Sequence, residues 1–136
     1  MPSSPETAAS IIPEIGPDPV ASVREGLPYV ALGHVQEHLQ SRKKLLARVL
    51  GVSTRTLSRR RKDGRFTAGE SDRLVLLAEI VGLAREAFDG MEPAREWLSA
   101  SHSMLGGESP LQHMDTIAGM QEVRKILYQI EYGMPA

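Results

Sequence analysis

The chain is 136 residues long, 41% hydrophobic and 24% charged, a balance that excludes wholesale disorder and suits one compact domain or two small lobes sharing a core. It has no cysteine, which excludes a disulfide framework, a thiolate nucleophile and an all-cysteine zinc site and favours an intracellular, cytoplasmic setting. The formal net charge is −1 but is unevenly spread: residues 1–41 carry one basic and five acidic groups, 42–65 carry ten basic and one acidic, and 66–136 carry five basic and eleven acidic. A 24-residue segment holding ten of the sixteen Lys and Arg attracts a polyanion whatever the overall balance. The longest clean apolar run, 74–78, is far short of the roughly 20 residues a bilayer crossing needs, so no membrane association is expected. The opening MPSSPETAAS has neither a basic flank nor a long apolar stretch and does not read as a secretory signal.

Pro2, Pro5, Pro13, Pro17 and Pro19 crowd the start, and because proline removes backbone donors the reading for 1–27 is a flexible arm. Pro28 opens a helix to about residue 40, with Val30, Val35 and Leu39 facing inward. A second helix covers about 42–50 and is broken by Gly51. Ser53 is a natural N-cap for a third, to about residue 62, which Asp63-Gly64 stops. A long helix over 68–88 places Leu74, Leu77, Val81 and Phe88 on a core face. Pro93 starts a short helix holding Trp97, a candidate core anchor, and Leu98. A loop over 101–109 carries Gly106-Gly107, which reads as a tight turn because it has neither a preceding strand nor phosphate-loop spacing. Pro110 begins another short helix over 111–114. The last helix runs over 116–132 with Met120, Val123, Leu127 and Ile130 on one face and Gly133 as its cap. With no run of alternating β-branched residues, the fold class is all-α: a helix-turn-helix lobe over 28–66 followed by a small helical lobe over 67–136.

The helix-turn-helix rests on spacing. The first of its two helices needs a small residue where the second crosses, and Ala47 supplies it. The turn needs a residue at ease with positive φ, and Gly51 sits four positions later. Leu46, Leu50, Val52 and Leu57 fall where they pin the pair to a core. Ser53, Thr54, Arg55, Ser58 and Arg59 then face outward as base-edge contacts, and Arg is the commonest bidentate reader of guanine. Arg42, Lys43, Arg60, Arg61, Lys62 and Arg65 flank that face and suit phosphates. Arg60 stands where many such helices place an apolar residue, and it is expected either to snorkel along the core edge or to mark an unusually packed recognition helix.

His34-Val-Gln-Glu37-His38 matches the H-x-x-E-H pattern of inverted zinc peptidases, and it is the sole basis for reading the chain as a small enzyme. A catalytic zinc also needs a distant carboxylate ligand and a substrate cleft, for which a helical chain of this size leaves little room. Neither catalytic residues, metal nor cofactor are expected.

Two stretches make a family visible. LLARVLGVSTRTLSRRRKDGRFTAGESDRLVLLAEI, from Leu45, resembles the N-terminal lobe of Xre-type antitoxins of the MbcA/ParS/Xre family. AREWLSASHSMLGGESPLQHMDTIAGMQEVRKILYQIEYGM, from Ala94, resembles that family's toxin-binding domain in its Trp-Leu pair, its Leu-Gly-Gly-x-x-Pro loop, its Asp-Thr-x-x-Gly helix start and its Tyr-Gly ending. It departs from the family pattern at His102-Ser103 and Glu108. The resemblance implies an antitoxin, not an enzyme, that neutralises a RES-domain, NAD-consuming toxin by covering its active site and represses its own operon by binding operator DNA. It also implies a homodimer within a larger hetero-oligomer, the pairing surface being left open between the first helix, the long central helix and both lobes. In this family the C-terminal segment approaches the toxin's NAD pocket, which places Glu131, Tyr132, Gly133, Met134, Pro135 and Ala136 at the toxin. The competing reading is a stand-alone dimeric transcriptional repressor with no toxin partner.

Overall fold

The computed structural model describes residues 5–133. Among them are α1 (Pro5–Ile11), α2 (Pro19–Glu25), α3 (Val30–Leu39), α4 (Lys43–Leu50), α5 (Thr54–Asp63), α6 (Ala68–Ala87), α7 (Met91–Ser99), α8 (Pro110–His113) and α9 (Ile117–Tyr132), with 3-10 turns at Pro13–Ile15 and Ser103–Leu105. No strand occurs among the described residues, so the all-α expectation holds; an isolated antiparallel bridge joins Pro28 to Arg65.

α6 is the spine. Leu74, Leu77, Ala78, Ile80, Val81, Leu83 and Ala84 are fully buried on it, so it is apolar almost all round in its second half, as a helix packed on several sides must be. α9 runs beside it in the same direction: Arg73 Nη1 donates to the Asp115 carbonyl just before α9 (3.2 Å), and Arg124 pairs with Glu79 one and a half turns further on (2.8 Å). Met120, Val123 and Leu127 are the buried stripe of α9, as the spacing predicts. Val30 and Ile130, read as inward, are instead 54% and 43% exposed. Phe88 and Trp97 pack together half-buried, ring centroids 5.4 Å apart, against the core edge.

Within the segment 1–27, read as a flexible arm, the described residues 5–27 correct that reading. Ala8, Ile11, Ile12, Ile15 and Leu27 are buried in the same core as α6 and α9. α1 lies so close to α6 that a Cβ on Gly82 would fall 2.3 Å from Thr7 Cγ2, and Arg85 Nη2 donates to Ser10 Oγ (2.7 Å). The prolines that suggested disorder open helical turns: Pro13 starts the 3-10 turn and Pro19 starts α2 behind the Asp18 cap, where a missing N–H costs nothing. The burial of three isoleucines outweighs the local stiffness that proline composition signals.

Candidate functional site

α4 and α5 form the expected pair. Ala47 is buried where α5 crosses, and Gly51 caps α4 at φ +73°. Leu46, Leu50 and Leu57 are buried beneath, and Val52 packs against them half-buried. Ser53 caps α5, accepting from the Thr56 N–H (3.0 Å) and donating to Thr56 Oγ1 (3.1 Å), so its hydroxyl is committed to the helix start.

Thr54, Arg55, Ser58 and Arg59 are all exposed on α5. Arg55, Ser58, Arg59 and Lys62 line one shallow surface depression, three cations around a hydroxyl. Arg55, Ser58 and Arg59 are residues the sequence assigns to base reading and Lys62 one it assigns to phosphates, and no carboxylate lines the depression. Arg42, at the N-cap of α4, and Lys43 and Arg61 are exposed to either side. Arg65 is exposed in outline, but its Nη1 donates to the Gly26 carbonyl. Lys44 and Arg48 add to the cationic set from the other side of α4, where Arg48 pairs with Asp115 (3.5 Å).

Arg60 is not among the free cations, which corrects its reading as a phosphate holder. Its Nε and Nη2 donate to the two carboxylate oxygens of Glu70 (2.7 and 3.0 Å), and Nη1 donates to Asp63 (3.3 Å). Glu70 is also the third residue of the α6 capping box: its Oε1 accepts from the Thr67 N–H (2.9 Å), while Thr67 Oγ1 accepts from the Glu70 N–H (3.2 Å). Burial pushes the Glu70 carboxyl up, but the hydrogen bonds from Arg60 and Thr67 outweigh it and hold it below the ordinary carboxylate value. The bond to Glu70 raises Arg60 in turn. The Thr67-x-x-Glu70 spacing is a readable capping signature, and it was the available clue to this pair.

A second strap holds the far end of α5. The Tyr29 N–H donates to the Gly64 carbonyl (3.0 Å), the Phe66 N–H to the Leu27 carbonyl (2.9 Å), and the Tyr29 and Phe66 rings stack at 5.5 Å. A Cβ on Gly26 would meet the Phe66 carbonyl at 2.2 Å, so glycine is required there. Between the two halves, Arg73 Nη1 donates to both the Val49 carbonyl at the end of α4 (3.0 Å) and the Asp115 carbonyl (3.2 Å). The basic helix pair and α9 are thereby tied to a common spine.

At the other end of α6, α9 carries a ladder on one face. Arg124, paired with Glu79, lies 5.4 Å over the Tyr128 ring, which packs on the Tyr132 ring at 5.6 Å. Tyr132 is 39% exposed; partial desolvation, with the nearby Glu86 and Glu131 charges, raises its phenol. Gly133 caps α9 at φ +62°. Of the six residues assigned to the C-terminal contact, Glu131, Tyr132 and Gly133 stand together at this end, and Met134, Pro135 and Ala136 lie outside the described residues. Arg124 and Tyr128, absent from the sequence-based assignment, are the i−8 and i−4 residues of Tyr132 and could have been found by extending its helical face backwards.

The 101–109 segment is a built turn. Gly106 and Gly107 have φ of +66° and +86°, and the His102 N–H donates to the Glu108 carbonyl (3.1 Å). His113 then clasps this loop to α9: Nδ1 is 2.9 Å from Glu108 and Nε2 is 3.0 Å from Glu122. Those two carboxylates, Glu122 foremost, raise the imidazole's pKa. His34 and His38 serve structure separately: His34 pairs with Glu14 (3.1 Å), and His38 Nδ1 is 2.8 Å from the His34 carbonyl. No helix among the described residues is long and apolar enough to cross a membrane.

Comparison with known proteins finds two family domains in the chain. Residues 18–79 match the antitoxin Xre-like helix-turn-helix domain, and residues 83–133 match the antitoxin Xre/MbcA/ParS C-terminal toxin-binding domain. A protein named Antitoxin Xre from Photorhabdus laumondii is 31% identical over 88% of this chain and 82% of its own length. An Antitoxin Xre from Yersinia enterocolitica is 30% identical over 85% and 79%. A Sphingobium protein named Prs ADP-ribosylating antitoxin is 25% identical over 85% and 79%. The chain therefore belongs to the Xre antitoxin family, which is not an enzyme family, and joins a helix-turn-helix domain to a C-terminal toxin-binding domain.

Proposed function

We propose that this antitoxin neutralises a RES-domain, NAD-consuming toxin by laying the end of α9 and the residues after it over the toxin's active site, and that it represses its own operon as a cytoplasmic homodimer. The observation that carries the toxin reading is the Arg124–Tyr128–Tyr132 ladder, which holds Tyr132 and Glu131 at the tip of the toxin-binding domain. A pocket built for a dinucleotide accepts an aromatic ring and negative charge; Tyr132 supplies the first, and Glu131 supplies the second. The name of the Sphingobium relative speaks of ADP-ribosylation, a chemistry that draws on NAD+, and so supports a toxin of this class. Gly133, Met134, Pro135 and Ala136 extend the same contact.

The operator reading rests on the depression lined by Arg55, Ser58, Arg59 and Lys62. Thr54, Arg55, Ser58 and Arg59 read bases, with Ser53 at the helix start, while Arg42, Lys43, Arg61, Lys62 and Arg65 hold phosphates. The same depression equally serves the second reading, a stand-alone dimeric repressor. Deleting residues 132–136 separates the two. Loss of neutralisation with an unchanged thermal transition supports the toxin contact, and full neutralisation by the shortened chain overturns it.

A further inference from the structure

A patch outside both surfaces joins α2 to the start of α6. α2 has no fully buried residue, and its Val20 is 57% exposed. Pro19, Val20, Val23 and Arg24 of α2, with Asp72 and Val75 of α6, line a single shallow depression with an apolar centre. Arg24 and Asp72 flank that centre with opposite charges, and neither forms an ion pair among the described residues.

We propose that a second copy of this chain docks here about a two-fold axis, Arg24 of each copy pairing with Asp72 of the other around Val20, Val23 and Val75. The inference rests on the homodimer reading above and names its face. A two-fold contact must be self-complementary, and one cation and one anion beside an apolar centre meet that condition without any other partner. The face is also placed to be free when toxin is bound. Asp72 lies fourteen residues along α6 from Glu86, beside which Tyr132 sits, a helical distance of about 20 Å. The helix that carries Asp72 begins five residues after α5 ends.

The test is the solution mass of the full chain without DNA, by light scattering across a dilution series, with circular dichroism to confirm folding. The expected result is a dimer that weakens roughly tenfold or more in Arg24→Glu and in Asp72→Arg, where like charges meet, and recovers in the Arg24→Glu/Asp72→Arg double variant. Val20→Asp, at an exposed position, should weaken it likewise. Single variants that dimerise as the wild type does overturn this face and leave the homodimer standing. A double variant that does not recover overturns the Arg24–Asp72 pairing. A wild-type chain that is monomeric throughout overturns the homodimer reading itself.

Discussion

Arg60 on the recognition helix grips both carboxylate oxygens of Glu70 at 2.7 and 3.0 Å, while the same carboxylate caps the first turn of α6. One side chain thus fixes the orientation of α5 against the spine that carries α9. The sign of its pH dependence follows from its lowered pKa. The contribution is fully present above the ordinary glutamate value of 4.5 and is lost as pH falls through the lower value of the folded protein. Glu70→Gln should melt below the wild type at neutral pH, and the gap should close as the pH drops below 4.5. A gap that persists in acid, followed by thermal melts from pH 7 to 3, would contradict this account of the pair.

On the operator reading proposed above, the cations of α5 divide by role. Arg55→Ala and Arg59→Ala should each cost about 1–3 kcal/mol of operator binding and relax base preference at one position. Lys62→Ala should weaken all sequences about equally and lower the salt slope by about one. Binding curves on specific and scrambled duplexes at several salt concentrations distinguish the two classes, and identical behaviour of the three variants would dissolve the distinction.

His113 holds the 101–109 loop to α9 between Glu122 and Glu108. Its pKa is raised, so its contribution is complete below the ordinary value of 6.5 and disappears as pH climbs through the higher folded value. The difference in melting temperature between the wild type and His113→Gln should therefore be largest in mild acid and shrink in alkali. A difference independent of pH would mean that the imidazole packs there without carrying charge.

Gly119 sits where α9 passes under the end of α8: a Cβ there would lie 1.9 Å from the His113 carbonyl oxygen, a backbone atom that cannot rotate away. Gly119→Ala should cost about 1–3 kcal/mol or more through overpacking. Its damage should fall on toxin binding before operator binding, because α8 and α9 belong to the C-terminal domain. Chemical denaturation and binding to each partner measure both, and unchanged stability would show that the corner gives way easily.

Most of the scaffold was legible because its signals are local. Ala47, Gly51 and the Ser53 cap mark the helix-turn-helix, and Pro110, Thr116 and Gly133 mark helix ends. What was misread depends on distant partners. The Ile11-Ile12 and Ile15 spacing carried the information that the first segment packs, but a proline count drowned it, and the close approach to Gly82 has no local signature. Arg60 looked like a phosphate ligand because charge runs usually face water; its partner lies ten residues on, across a turn. The strap of Tyr29 and Phe66 likewise joins segments that sequence reading treats separately.

The proposed activity of this chain is the silencing of an NAD-consuming toxin. The direct measurement is growth and cellular NAD+ in cells expressing the neighbouring reading frame alone, and then together with this protein. Arrest with falling NAD+, relieved by the full chain and not by one lacking residues 132–136, is the predicted result. Arrest that the full chain does not relieve, or no arrest at all, would contradict it and leave the stand-alone repressor.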